Sequence, residues 1–302
     1  MRLRLGLTFY SVFYAPYYVA LNRGLFAREG LDLEVVTLGN GELVMDGLTG
    51  GTLDAGIGGI MRSLVGYDRG MTSVPIHVAR INDRDGFFLL GRDPSFDWSD
   101  LIGHRLLLFS EAPTPWYVLR AFLIDRGLDP DGVQVIAGLP ADQAAAAFRR
   151  GEADFLETPA HVAEELLRDG AAVLLRSMAE EAGALPYSSY CVRPEFLATE
   201  PAVVAALIRA HIAALAWLRT ADGAGIWEVI RPSFPDGDPE VLARAVDRYH
   251  RLGVWSSDAT LPRSSYDRLA GMLRQGGLIT RVAPYELVCR DDLTRQALGL
   301  AG

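Results

Sequence analysis

One pattern constrains the fold more than any other, because it occurs twice. Residues 30–59 read GLDLEVVTLGNGELVMDGLTGGTLDAGIGG. This is a Leu/Val-rich strand, a glycine turn, a short helix, a second glycine turn closing on Gly-x-x-Asp, and another short strand. Residues 127–159, GLDPDGVQVIAGLPADQAAAAFRRGEADFLETP, repeat that order. Short apolar runs bounded by glycine suit strands, and the polar-apolar segments between them have helical spacing. Two units with the same punctuation predict two lobes of like construction. Each is an α/β lobe with a mainly parallel sheet flanked by helices, and each turns its strand-end loops toward a shared cleft.

The rest of the chain fits around these units. Residues 3–9 suit a first buried strand, followed by an aromatic loop from Tyr10 to Tyr14. Pro16 suits the first turn of a helix that stops at Gly24 or Gly30. Strand 31–38, helix 42–49 and a short strand from Asp54 come next, and Gly58-Gly59 opens a helix running to Gly70. Strands 74–81 and 86–91 flank a polar turn, Asn82 to Asp85. After a polar stretch at 93–100 the α/β pattern restarts with strand 105–110. Helix 116–126, strand 133–136, helix 141–150, strand 153–156, a helix near 160–168 and strand 171–176 follow. Residues 186–197 read as a strand returning to the first lobe, and 201–219, 224–230, 239–252 and 265–275 are helical. The expected domains are therefore 1–88 with 190–302 for lobe 1, including the C-terminal helices, and 89–189 for lobe 2.

Composition and motif spacing exclude several functions. With 302 residues, a net charge of −9 and a pI near 5.1, the chain lacks the basic field that nucleic acid requires, although a local pocket can still attract a small anion. All 29 basic residues are Arg, so no lysine Schiff base can form. The histidines at 77, 104, 161, 211 and 250 share no metal-ligand spacing with Asp, Glu or Cys, and neither a nucleophile elbow nor a phosphate-binding Walker run is present. Ser11 is the one residue placed like a first-loop nucleophile, with no histidine evident near it. The expectation is no catalytic set, no metal and no cofactor. Cys191 and Cys289 are too isolated for a redox or zinc motif, and read as buried thiols unless folding brings them within disulfide reach. No apolar run has the ~18 charge-free residues of a membrane span, and 203–218, which carries Arg209 and His211, reads as an amphipathic or buried helix. Arg2 and Arg4 with the apolar run after them read as strand, loop and helix rather than as a leader peptide. The protein is thus expected to be periplasmic or otherwise extracytoplasmic if a leader has been removed ahead of Met1, and cytoplasmic if not.

Several runs together resemble a known family. They are Ala15-Pro16-Tyr17-Tyr18-Val19-Ala20, Arg23-Gly24-Leu25-Phe26 leading to Gly30-Leu31-Asp32, Gly51-Thr52-Leu53-Asp54-Ala55-Gly56, Leu101-Ile102-Gly103-His104-Arg105, Gly151-Glu152-Ala153-Asp154 and Arg193-Pro194-Glu195-Phe196-Leu197. In this order they resemble the type II periplasmic-binding-protein fold, in its sulfonate, nitrate and thiamine-precursor group of solute-binding proteins. The resemblance covers roughly residues 5–220. It implies a small-molecule ligand between two hinged lobes and, as partner, the permease of an ABC-type transporter. An enzyme branch of the same family, the fungal-type thiamine-pyrimidine synthase, consumes one of its own histidines and uses a cysteine-rich iron-binding run. Here the position matched to that histidine is Arg62, and a single cysteine, Cys191, follows Leu185-Pro186-Tyr187-Ser188-Ser189-Tyr190. The phosphate-cradling glycines are replaced by Ser110-Glu111-Ala112-Pro113-Thr114-Pro115. A cytoplasmic enzyme on this fold, of that type or a decarboxylase or desulfinase, is the alternative function.

In open α/β sheets ligands bind beyond the carboxyl ends of strands, which selects the candidate residues. Tyr10, Ser11, Phe13 and Tyr14 offer hydroxyls and aromatic faces, with hinge packing as the alternative role. Asn40 could donate to a ligand or merely shape its turn. Gly58 and Gly59 precede a helix whose free N–H groups would suit a carboxylate or sulfonate, and Arg62 in its first turn would face the same cleft. Arg80 and Asn82 stand at a strand end near the lobe boundary. In the second lobe Ser110, Thr114 and Trp116 mirror the first loop, and Glu157 and Thr158 mirror Gly58 and Gly59. Tyr187 and Tyr190, with Ser188, lie on the return strand. His161 reads as a helix-surface histidine.

Overall fold

The computed structural model describes residues 1–300. Its first part runs β1 (Arg2–Leu7), α1 (Ala15–Asn22), α2 (Leu25–Arg28), β2 (Asp32–Thr37), α3 (Gly41–Thr49), β3 (Ala55–Gly59), α4 (Met61–Asp68) and β4 (Ile76–Arg84). The middle comprises β5 (Phe87–Gly91), β6 (Arg105–Phe109), α5 (Thr114–Asp125), β7 (Gln134–Leu139), α6 (Ala141–Arg149), β8 (Phe155–Pro159), α7 (Ala160–Arg168), β9 (Val173–Ser177) and α8 (Met178–Glu181). The chain then returns through β10 (Ala184–Val192) and ends in α9 (Pro194–Thr199), α10 (Pro201–Leu218), α11 (Gly223–Ile230), α12 (Pro239–Arg251), α13 (Arg263–Gln275), α14 (Tyr285–Val288) and α15 (Asp291–Ala297).

The strands form two five-stranded sheets, ordered β2-β1-β3-β10-β4 and β7-β6-β8-β5-β9. In each, the strand that precedes the glycine-punctuated unit, β1 or β6, lies between that unit's two strands and runs parallel to both. The likeness extends to side chains. Asp54 accepts from the Arg4 backbone N–H at 3.1 Å and from its guanidinium at 2.6 and 2.9 Å. Asp154 holds Arg105 in the same manner, at 2.9 Å to the backbone N–H and 3.0 and 3.2 Å to the guanidinium. The Gly-x-x-Asp signature therefore ties the end of each unit's helix to the start of the central parallel strand, β1 or β6. Its glycine makes the turn in the left-handed region, with φ of 76° at Gly51 and 79° at Gly151.

Two features position the cleft. The chain crosses between sheets at Asp85-Gly86 and returns between β9 and β10. The polar residues 82–84, expected in a turn, belong to β4, because that strand pairs with β10 as far as Arg84. β5 lies wholly in the second sheet and β10 wholly in the first, so boundaries at 88 and 189 would cut through strands. The return strand also stops at Val192, where Pro194 starts α9 rather than extending it to 197. The second feature is the C-terminal helices, which bridge both lobes. Helix α12 packs on α7 and α13 on α5. The Tyr249 hydroxyl donates to the Gly86 carbonyl at 2.9 Å and accepts from the Ala160 N–H at 3.1 Å, joining the crossing to the second lobe. Gly86 must lack a side chain because a Cβ there would stand 2.2 Å from the Phe13 ring.

Among the described residues one helix, α10, is long and apolar enough to span a membrane, with 18 residues and mean hydropathy 1.7. It packs against α1, α2 and α15, burying Val204, Leu207, Ile208 and His211. The His211 ring N–H donates to the Arg80 carbonyl at 2.8 Å. Cys191 and Cys289 are both buried and free.

Candidate functional site

The ends of β1 and β3, the starts of α4 and α5, and β10 converge on an inner chamber of about 30 Å³. Its polar lining comes from Thr8, Tyr14, Arg62, Glu111, Thr114 and Ser188, and its aromatic lining from Phe9, Phe13, Phe87 and Tyr187. The rings form a connected wall, with Phe9 stacked on Tyr14 at 5.0 Å and Phe87 at 5.8 Å from Phe13 and 5.9 Å from Tyr187.

Arg62 is the chamber's charge. Helix α4 begins at Met61 without a side-chain cap, so its first N–H groups lack intrahelical acceptors at the same wall. The Arg62 guanidinium has no carboxylate partner among the described residues; its single hydrogen bond, at 3.5 Å, goes to the Glu111 carbonyl across the cleft. Burial pulls its pKa down, while Tyr14 and Glu42 oppose this. Gly41, first in α3, leaves room for it, since a Cβ there would lie 2.0 Å from Arg62 Nε. Opposite, the Glu111 carboxylate accepts from the Ala141 N–H at 3.0 Å and so satisfies the start of α6.

The chamber opens into others. Phe9, Phe87 and Glu111 also wall a second space of about 100 Å³, completed by Tyr10, Phe109, Ala141, Pro159 and His161. Tyr10 and His161 are shared in turn with a third of about 310 Å³, reaching Phe234 and Asp236. A groove of equal volume, about 310 Å³, lies away from the cleft between Thr49, Met71 and Glu195; its arginine, Arg193, is already paired with Asp54.

Of the residues expected from sequence, Phe13, Tyr14, Gly59, Arg62, Thr114 and Tyr187 line the inner chamber, and Tyr10 and Ser11 lie further out. Gly58 and Gly59 are strand residues paired with Ser189 and Ser188, so the free helix end falls at Met61 instead. Asn40 is an exposed cap whose side chain accepts from the Glu42 N–H at 2.7 Å, and Ser110 is exposed beside Glu111 at 3.3 Å.

Other candidates lie elsewhere. Arg80 is buried in ion pairs with Asp83 and Asp258. The Asn82 amide donates to the Phe13 carbonyl at 2.9 Å, as does the Trp255 ring N–H at 3.0 Å, so both hold the aromatic loop and not a ligand. Trp116 packs on the second lobe's own core beneath Arg120. Tyr190 is fully buried against His211. Glu157 and Thr158 are buried outside the chambers, with no partner for either Glu157 oxygen or for the Thr158 hydroxyl. Burial first, then the Asp85 charge, holds the Glu157 carboxyl well above its ordinary range, and burial pushes Asp85 up to about 7.

Sequence reasoning missed Thr8, Phe9, Phe87, Glu111 and the cleft-facing role of His161. Thr8 and Phe9 follow the last residue of β1, so the strand-end rule applied strictly would have found them. Nothing in the local sequence indicates His161, because the space it faces is built by helices from the far end of the chain.

Two sheets of one topology, joined by crossing strands and facing each other across a lined cleft, define a two-lobed binding-protein fold of the type II periplasmic kind. A family model described as NMT1/THI5 like matches residues 12–221, and the chain belongs to that family. It is 26% identical over 290 residues to "Putative binding protein YtlA" of Bacillus subtilis (strain 168), covering 95% of this chain and 87% of the relative. The alkanesulfonate-binding protein SsuA of Xanthomonas axonopodis pv. citri, solved bound to MOPS, superposes with a TM-score of 0.76 at 18% identity over 96% of this chain and 98% of that one. The desulfurization enzyme DSZB superposes with a TM-score of 0.68 at 14% identity, over 99% of each chain.

Proposed function

We propose that the protein is the solute-binding component of an ABC-type uptake system, acting outside the cytoplasm. Its ligand is a small organic anion, held between the lobes with the acid group at Arg62 and an apolar or aromatic part against Phe9, Phe13 and Phe87. One observation carries this reading: a partly buried guanidinium, without a carboxylate partner among the described residues, stands at an uncapped helix start in the cleft. Such a charge is costly to bury alone, and an anionic ligand would supply the missing partner. Thr8, Thr114 and Ser188 provide hydroxyls around it. Closure of the lobes about the crossing strands would expel water and strengthen these contacts. The names of YtlA and SsuA support a binder of small molecules.

The test is a thermal-shift and native mass spectrometry panel of methanesulfonate, benzenesulfonate, benzoate and an aminopyrimidine. An acid should bind, be recovered unchanged, and lose its effect in Arg62→Ala. An aminopyrimidine bound in preference to every acid would replace the anion with a thiamine precursor, and chemical turnover of a bound probe would replace binding with catalysis.

A further inference from the structure

The inner chamber, at about 30 Å³, holds little more than an acid group, so the rest of any ligand must lie in the adjoining spaces. The second chamber, about 100 Å³ and walled mainly by Phe9, Phe87, Phe109 and Pro159, is nearly dry in character. An apolar cavity of about 150 Å³ accommodates one benzene ring; the first two chambers together are smaller than that, so a ring bearing an acid fills them and extends into the third. Beyond them the third chamber changes chemistry. His161, at the start of α7, borders both the second and the third chamber and makes no hydrogen bond. The Tyr10 ring, packed on Phe234 at 4.6 Å, also lines the third, and the exposed Asp236, whose charge acts on Tyr10, makes no hydrogen bond or ion pair among the described residues.

We propose that the third chamber is a distal subsite, in which His161 accepts a hydrogen bond from a hydroxyl or amino group on the far side of the ring of an aromatic acid. The proposal rests on the reading that Arg62 holds the acid. Burial lowers the His161 pKa, so the neutral ring keeps a lone pair to offer. The acidic rim favours a donor there over a second anion. The ligand class is then a ring with an acid at one end and a hydrogen-bond donor at the other. An inorganic anion or a short aliphatic acid would leave the outer two chambers to water.

Calorimetry with benzoate, 4-hydroxybenzoate and 4-aminobenzoate on the whole chain tests this. The wild type should bind one of the substituted acids about tenfold more tightly than benzoate, the worth of one added hydrogen bond. His161→Phe should erase that preference, read as the ratio of substituted-acid to benzoate affinity within the variant because His161 also walls the chamber that holds the ring; His161→Ala serves if the phenylalanine variant does not fold. Benzoate binding that needs Arg62 but shows no preference for either substituent, or a preference that survives both variants, overturns the distal subsite and leaves the anion reading standing. Failure of all three acids to bind, with acetate and methanesulfonate also inert, overturns both.

Discussion

The Arg62 guanidinium on the first lobe comes within 3.5 Å of the Glu111 carbonyl oxygen on the second, and this long hydrogen bond is the one it makes among the described residues. A neutral carbonyl does not neutralise a partly buried cation, so the pair bridges the cleft yet leaves the charge available. Arg62→Ala should therefore weaken an anionic probe such as benzenesulfonate by ~2–5 kcal/mol, read by calorimetry. An unchanged affinity would remove Arg62 from the site.

Gly41→Ala tests the same charge without deleting it. The added methyl would stand 2.0 Å from Arg62 Nε, and a flexible side chain can move aside at little cost to the fold. Anion affinity should fall by about tenfold or more while the melting temperature stays nearly constant. Equal affinity with a displaced Arg62 would show that its position is not decisive.

The two aspartates that tie each unit to β1 or β6 should differ in weight. Asp54 is 9% exposed in its side chain and bonded to both Arg4 and Arg193, whereas Asp154 is 35% exposed and bonded to Arg105 alone. Asp54→Ala should cost about 2–3 kcal/mol and Asp154→Ala distinctly less, measured as urea unfolding midpoints. Burial pushes Asp54 up, but its bonds with Arg4 and Arg193 prevail and leave its pKa lowered, and the Arg105 bond lowers Asp154. The stability from both is present above the ordinary aspartate range and is lost as pH falls through their depressed folded values.

The Asp85–Glu157 pair has the opposite sign. Both folded pKa values are raised, Asp85 to about 7, so the native state holds more protons than the unfolded chain. Their contribution is complete below about pH 4 and is lost as pH rises toward 7 and beyond. Glu157→Gln should flatten this fall and raise stability at pH 8, seen in a series of denaturation curves against pH. A pH profile identical to the wild type would show that the carboxyl is not buried in solution.

Much of the fold was legible in the sequence because it depends on local chemistry. Positive-φ glycines, strand-length Leu/Val runs and Gly-x-x-Asp ended each element within a few residues of the boundary found, as with α7 at 160–168. The misplaced elements had signals that local patterns misread. Asn82 and Asp83 look like a turn, but their polar groups find partners in Phe13, Arg80 and the C-terminal segment, which lets β4 continue. Of the residues lining the inner chamber, Arg62, Tyr14, Gly59 and Thr114 were legible because they end a strand or lie in the loop or first helical turn after one, where strand ends point to a cleft.

By itself, the sequence determined two α/β units of one design, the absence of lysine, and an arginine in the first turn of the helix that follows Gly58-Gly59. Tertiary structure decided which polar residues face the cleft and which support its walls. Arg80 and Arg62 are both candidate cleft arginines by sequence, yet one is neutralised by Asp83 and Asp258 and the other has no carboxylate partner among the described residues. Charge pairing of this kind depends on residues up to 178 positions apart. It is set by packing between lobes and C-terminal helices, which no local pattern encodes.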